Sequence, residues 1–279
     1  MPPAPERAAS TVDSDSESEE ILLKGRAGVA IVDLGATPDP VTRDAISGAM
    51  RRPDGAGVVS VPGLLDGDAL QKTLQGVSRV VPSAAKPIFN TQSVAETRRA
   101  EIEGAPIDKQ RRQVLMNPRW ASTAVVKASL ARLCDLLFHI YGRRYLASET
   151  KVLLTFPGAT PQMPQGDAAD KDQLGNPPPM IGVVMAVEDD SVPDTWPGKF
   201  CDLTAPGEEQ CVVRTSMVER TTVPMGGFLD FRSDMVHRAV ENTAVSRVLR
   251  RVHAYLTLRD SPMASENWHD ETRPVKEIP

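Results

Sequence analysis

Gln165 and Asp167 lie two residues apart in a stretch that leaves a strand-like run, Phe156-Pro157-Gly158-Ala159-Thr160-Pro161-Gln162-Met163-Pro164-Gln165-Gly166-Asp167. Side chains two apart on an extended chain point the same way, so this pair can address one point in space. About 70 residues later comes Gly226-Gly227-Phe228-Leu229-Asp230-Phe231-Arg232-Ser233-Asp234-Met235-Val236-His237, which reads as a tight turn, a strand and a second turn that delivers a single imidazole. A carboxylate and an imidazole brought together are ligands for a divalent metal ion. The chain has only four histidines, so the other three are quickly weighed. His139 falls on a Leu-rich helical stretch and reads as a helix residue, His253 approaches the site only if it points inward from the last strand, and His269 lies in a polar tail. Cys134, Cys201 and Cys211 form no CxxC pair of the zinc or redox kind.

The residues around these candidates alternate between strand-like and turn-like character from Glu149 onward. Val152 to Phe156, Ile181 to Val187, Glu219 to Val223, Phe228 to Phe231 and Arg251 to Leu258 read as strands separated by Pro- and Gly-rich connections. Before them, Val29 to Val32 and Gly57 to Val61 read as two short strands. Asp66 to Val81 and Ala121 to Tyr141 read as helices, the second carrying Leu130, Leu133, Leu137 and Ile140 on one face and stopped by Gly142. Residues 90 to 116, with Lys109, Arg111 and Arg112, read as a loop or exposed helix with a solvated charge run. Asp230 and Asp234 are read as solvated residues flanking their strand, and Pro177-Pro178-Pro179 as a stiff lead-in to the next one. The fold class is mainly β with flanking helices, an antiparallel sandwich or jelly roll with the helices packed outside it.

The net charge of −5 comes from 37 acidic and 32 basic residues, and its position matters more than its size. Residues 1–20 hold six acids and one base, leaving 31 of each in residues 21–279. With little to bury, that opening stretch reads as a disordered acidic tail, open to a protein partner or to phosphorylation at Ser14, Ser16 and Ser18. Residues 21–260 form the domain and 261–279 a C-terminal extension. A neutral domain in a chain with only three Trp, three Tyr and six Phe lacks the footprint of a nucleic-acid binder. No apolar run approaches the ~20 residues of a membrane span, and the few cysteines point to a reducing compartment, cytoplasmic or nuclear.

In order and approximate spacing, Gln162, Asp167, Gly227, Phe231, His237 and the closing Arg251-Val252-His253-Ala254-Tyr255-Leu256 resemble the Fe(II)/2-oxoglutarate-dependent oxygenases of the double-stranded β-helix fold, in particular the phytanoyl-CoA dioxygenase-like group. The family pattern is Q-x-x-H-x-D, a distant G-x-x-x-x-F…H, and an Arg on the last strand. Met180 to Val187 then looks like the central strand, Asp194-Thr195-Trp196-Pro197-Gly198 like the Pro/Gly loop that follows it, and Asp54 to Leu65 like the opening strand. The resemblance spans roughly residues 50 to 258. It implies Fe(II) held by Asp167 and His237, 2-oxoglutarate as co-substrate, and hydroxylation-type oxidation of a small-molecule substrate with release of succinate. Gln162 would contact substrate or cofactor, or else cap its loop.

The chain departs from the pattern at Gln165, where the first metal-ligand His is expected. Three readings follow: Gln165 binds iron through its carbonyl oxygen, the site works with Asp167, His237 and water, or the domain has given up redox chemistry and serves as a binding or scaffold module. A cupin-type jelly roll unrelated to 2-oxoglutarate is a further alternative. The co-substrate anchor implied by the resemblance is a cation deep in the barrel, because a carboxylate taken out of water calls for a bidentate partner. Arg247, Arg250 and Arg251 lie within reach. Alternation sets Arg251 with His253 and Tyr255 on one face and Arg250 with Val252, Ala254 and Leu256 on the other, and similarity to the family strand favours Arg251.

Overall fold

A computed structural model describes residues 30–31, 40–52, 54–65, 67–80, 86–87, 111–148, 150–167, 175–188, 193–201, 212–220, 223–261 and 273–279. The acidic tail, most of the polar stretch 90–116 and His269 lie outside the described residues. The described helices are α1 (Pro40–Ala49), α2 (Gly67–Ser78) and α3 (Ala121–Tyr141). The first eight strands are β1 (Ala30–Ile31), β2 (Val58–Val61), β3 (Lys86–Pro87), β4 (Arg111–Leu115), β5 (Tyr145–Ala147), β6 (Lys151–Thr155), β7 (Gln165–Gly166) and β8 (Met180–Ala186). The second eight are β9 (Asp194–Phe200), β10 (Val212–Arg214), β11 (Glu219–Arg220), β12 (Phe228–Arg232), β13 (Met235–Arg238), β14 (Leu249–Leu258), β15 (Arg273–Pro274) and β16 (Lys276–Ile278).

A larger sheet runs β1-β2-β12-β8-β14-β6-β4-β3, with β5 also pairing β14, and a smaller one runs β11-β9-β13-β7-β15. Pairing is antiparallel except between β1 and β2 and between β10 and β16, which form a parallel two-stranded clasp. Strand β14 lies between β8 and β6 and sets Arg251 opposite Ala186 and Leu153, and His253 opposite Val184 and Lys151.

The faces of the larger sheet differ in chemistry because side chains alternate. Val252, Ala254 and Leu256 of β14 join Ile181, Val183 and Met185 of β8 and Val152 and Leu154 of β6 in one apolar core with Val126, Leu130, Leu133 and Leu137 of α3. That contact makes α3 a helix with a buried stripe, and Gly142 closes it in the left-handed conformation (φ 64°), its N–H donating to the Phe138 carbonyl. The other face carries Val58, Val184, Leu229 and Phe231, which cluster with Met235 of the smaller sheet. Among the described residues no helix is long and apolar enough to cross a membrane.

Several expectations are corrected. Residues 111–115 are a sheet strand, and Arg111 is 1% exposed because β4 pairs β6 along its whole length. Residues 194–200 are strand β9, with the chain turned at Gly198 (φ 73°), where a loop was expected. Helix α1 was not foreseen, and α2 is shorter than residues 66–81. Asp234 is 1% exposed and bound by the fully buried Arg232 through two hydrogen bonds of 2.9 and 3.1 Å. Asp230 is likewise buried, on the helix-facing side of β12 by alternation with Leu229 and Phe231, and among the described residues its Oδ1 has no hydrogen-bond partner.

Burial pushes the Asp230 carboxyl up from 3.8 to about 8. Between those values the folded protein holds a proton that the unfolded chain has released, so this group favours folding below about pH 4 and loses that contribution as pH rises toward 8. Asp230→Asn is expected to remove this component: in urea unfolding, the midpoint of the wild type should fall further than that of the variant between about pH 5 and pH 8.5. Parallel profiles would contradict the assignment.

Candidate functional site

Between the inner faces of the two sheets lies a cavity of about 110 Å³. The smaller sheet contributes Gln165 from β7, Asp167 just beyond it and His237 from β13. Gln165 and His237 are directly opposed in the antiparallel pairing of β7 with β13, which puts their side chains on one face. Asp167, two residues on, shares that face, and its backbone N–H is fixed by the Ser233 carbonyl at 2.8 Å. Gly166 between them has no room for a side chain, since a Cβ would lie 2.7 Å from Cys201 Sγ.

Asp167 Oδ1 stands 3.4 Å from His237 Nε2 and 3.5 Å from the Gln165 amide nitrogen, while Oδ2 accepts a 2.7 Å hydrogen bond from the Tyr255 hydroxyl. Burial alone would raise the Asp167 carboxyl, but His237, His253 and the Tyr255 hydroxyl outweigh it and hold it down at about 2. Burial would lower His237, yet Asp167 and the Met235 carbonyl hold it above its ordinary value. A carbonyl can only accept, so the 3.1 Å contact to Met235 places a proton on His237 Nδ1 and turns Nε2 toward Asp167. Phe231 packs against the imidazole with centroids 4.5 Å apart. Its ring fits because residue 182 is glycine: a Cβ there would come within 2.5 Å of it.

The larger sheet supplies the opposite wall. Arg251, His253 and Tyr255 face the cavity from β14, Arg111 and Gln113 from β4, and Leu153 and Thr155 from β6. Arg251 is 8% exposed, and among the described residues its guanidinium has no carboxylate or hydrogen-bond partner, with Nε buried outright. Burial, and then the neighbouring Arg111, lower it to about 10. Arg111 donates to the Thr160 and Val240 carbonyls. His253 is driven down to about 3, chiefly by burial, and is neutral at physiological pH. Asp167 is the one carboxylate lining the cavity among the described residues.

No family model matches the sequence, and no curated protein matches it. Solved structures do. One is the epimerase SnoN in complex with Fe3+, alpha-ketoglutarate and nogalamycin RO, at 17% identity, covering 86% of this chain and 97% of that one with a TM-score of 0.56. A second, titled the non-heme alpha-ketoglutarate-dependent epimerase SnoN from nogalamycin biosynthesis, matches at 16% identity over 86% and 97% with a TM-score of 0.55. A third is AviO1 from Streptomyces viridochromogenes Tue57, at 16% identity over 81% and 98% with a TM-score of 0.54. The chain shares the fold of these proteins.

Within this fold, Gln162, Gln165, Asp167, His237 and Arg251 line one cavity, and Arg247 does not. Arg247 is half-exposed and lies 3.7 Å from Glu188, which also accepts from Arg250 at 3.2 Å. Gln162 braces its loop, its Oε1 accepting from the Ala239 N–H at 3.2 Å. Among the described residues no three His, Cys, Asp or Glu side chains are grouped to hold a metal ion; the third group facing Asp167 and His237 is Gln165. Sequence reasoning missed Arg111 and Gln113, whose period-2 spacing before Val114 and Leu115 was the available signal. An unpaired buried guanidinium is costly. Arg251→Met, of similar length and no charge, is therefore expected to raise the unfolding free energy of the ligand-free protein by on the order of 1–3 kcal/mol, read from denaturant melts. A loss of stability would show that Arg251 is already satisfied.

Proposed function

We propose that the protein is an Fe(II)/2-oxoglutarate-dependent oxygenase of the double-stranded β-helix fold, phytanoyl-CoA dioxygenase-like. It would oxidise a C–H bond of a small-molecule substrate in a hydroxylation-type reaction and convert 2-oxoglutarate to succinate and carbon dioxide. The observation that carries this reading is Arg251, a buried guanidinium with no anion beside it among the described residues, in the same cavity as the Asp167–His237 pair.

The donor set fits a metal ion. Two donors sharing a cation at bond lengths of ~2.1 Å stand about 3 Å apart, and Asp167 Oδ1 lies 3.4 Å from His237 Nε2 and 3.5 Å from the Gln165 amide. A half-turn of that amide exchanges its nitrogen for its oxygen, so Asp167, His237 and the Gln165 carbonyl oxygen would hold the ion. Iron bound there supplies the oxygen-activating redox chemistry. Arg251 would grip the distal carboxylate of 2-oxoglutarate through parallel N–H bonds, with Arg111 adding a second positive charge beneath it. Phe231, Val184 and Leu153 give the site apolar walls, and neutral His253 adds no competing charge beside Asp167.

A second reading is an oxygenase-fold binding module without redox activity. Gln165 favours it, because a neutral amide oxygen is a weaker ligand for Fe(II) than an imidazole nitrogen. Purified protein given Fe(II), 2-oxoglutarate and air is expected to form succinate, with Asp167→Ala abolishing both metal binding and turnover. Protein that shows neither turnover nor Asp167-dependent metal binding would overturn the proposal. Gln165→His is expected to tighten metal binding by more than the ~10–100-fold typical of changes around a metal's own ligands; turnover found only in that variant would mark the parent as a degenerate enzyme. 2-Oxoglutarate should raise the melting temperature of the wild type and of Arg247→Met, and leave Arg251→Met unchanged.

A further inference from the structure

Tyr255 touches the proposed metal site through the carboxylate oxygen that the other two groups do not face. Its hydroxyl donates to Asp167 Oδ2 at 2.7 Å, on the far side of the carboxylate from His237 Nε2 and the Gln165 amide, which both face Oδ1. The ring is held in place. It is 5% exposed, His253 packs edge-on against it with centroids 4.6 Å apart at 85°, and the Tyr255 N–H donates to Ser148 Oγ at 2.9 Å.

A carboxylate with two open oxygens can bind a cation through one or both of them. A bidentate Asp167 would take one of the positions that a three-donor face leaves open for co-substrate and oxygen. We propose that Tyr255 is a positioning residue that divides the two oxygens of Asp167, engaging Oδ2 and leaving Oδ1 alone to the metal, so that Asp167 binds through a single oxygen. The inference rests on the metal-binding reading given above and goes beyond it by assigning the coordination mode to a residue outside the ligand set. A phenol hydroxyl suits this task because it donates one directed hydrogen bond and is neutral at physiological pH.

Co(II), whose visible absorption reports coordination number, is the probe. In Tyr255→Phe the Co(II) spectrum is expected to change and the affinity to fall by ~10–100-fold, the range for residues that orient metal ligands. A changed spectrum supports the assignment. An unchanged spectrum overturns it, including the case where affinity alone falls, since that is what a merely structural role predicts. Should the Phe variant not fold, 3-fluorotyrosine at position 255 keeps the shape and alters only the donor strength of the hydroxyl; a shifted band supports the inference and an unshifted one overturns it. Wild-type protein that binds no Co(II) overturns the metal-binding reading and this inference with it, an outcome distinct from wild type and variant binding alike.

Discussion

Strand β14 separates two environments, and the rest of the architecture depends on its staying in register. Eight of its ten residues are buried, yet alternate positions bury opposite chemistries. Val252, Ala254, Leu256 and Leu258 lie in the apolar core, while Arg251, His253 and Tyr255 line the cavity. Sliding the strand by one residue would drive a guanidinium, an imidazole and a phenol into the hydrocarbon core. Pairing with β8 on one edge and β6 on the other holds it at both sides. The helices matter to the site through this constraint: α3 covers the apolar face and so fixes which residues face inward.

That cavity is a costly piece of interior. Among the described residues it gathers two guanidiniums, one carboxylate and two imidazoles around about 110 Å³, and that carboxylate is the one anion lining it. The arrangement offsets part of the cost locally. Asp167 faces His237 and Tyr255, and Arg111 reaches two backbone carbonyls. His253 gives up its charge under burial. Arg251 has no such relief. On the proposed reading this buried guanidinium would receive a negative ligand, and a carboxylate bound in bidentate fashion is its natural complement.

The sequence made the site more legible than the scaffold. Gln165, Asp167 and His237 were singled out because extended-chain spacing and turn residues are local signals, and alternation separated Arg251 from Arg250 while the likeness to the family strand favoured Arg251. Arg247 was misplaced because it precedes β14, where no alternation constrains it, and Glu188, brought up by the end of β8, claims it. Arg111 and Asp230 were missed for a common reason. Charged residues are read as solvated, and only the nonlocal pairings of β4 with β6 and of β12 with β8 and β2 bury them. Strand β9 hid behind Pro197 and Gly198, which read as loop residues, although Gly198 is a bend inside a paired strand.

On the proposed reading the chemistry turns on Gln165, whose position shows how an amide could serve there. Opposed to His237 across β7 and β13, it faces the point that Asp167 and His237 address. With no cation present, Asp167 Oδ1 calls for donors, and the amide nitrogen at 3.5 Å is turned toward it. On the proposed reading a cation at the same point calls for an acceptor, and rotation of the terminal amide supplies one without moving the backbone. An imidazole in this place would bind the cation more strongly and would present the empty site with either a lone pair or an added charge. The amide is compatible with the empty and the loaded states alike, at the expense of affinity. On the proposed reading the metal would be held weakly through residue 165 and chiefly by Asp167 and His237, and the orientation of that single carboxylate would govern how well it is held.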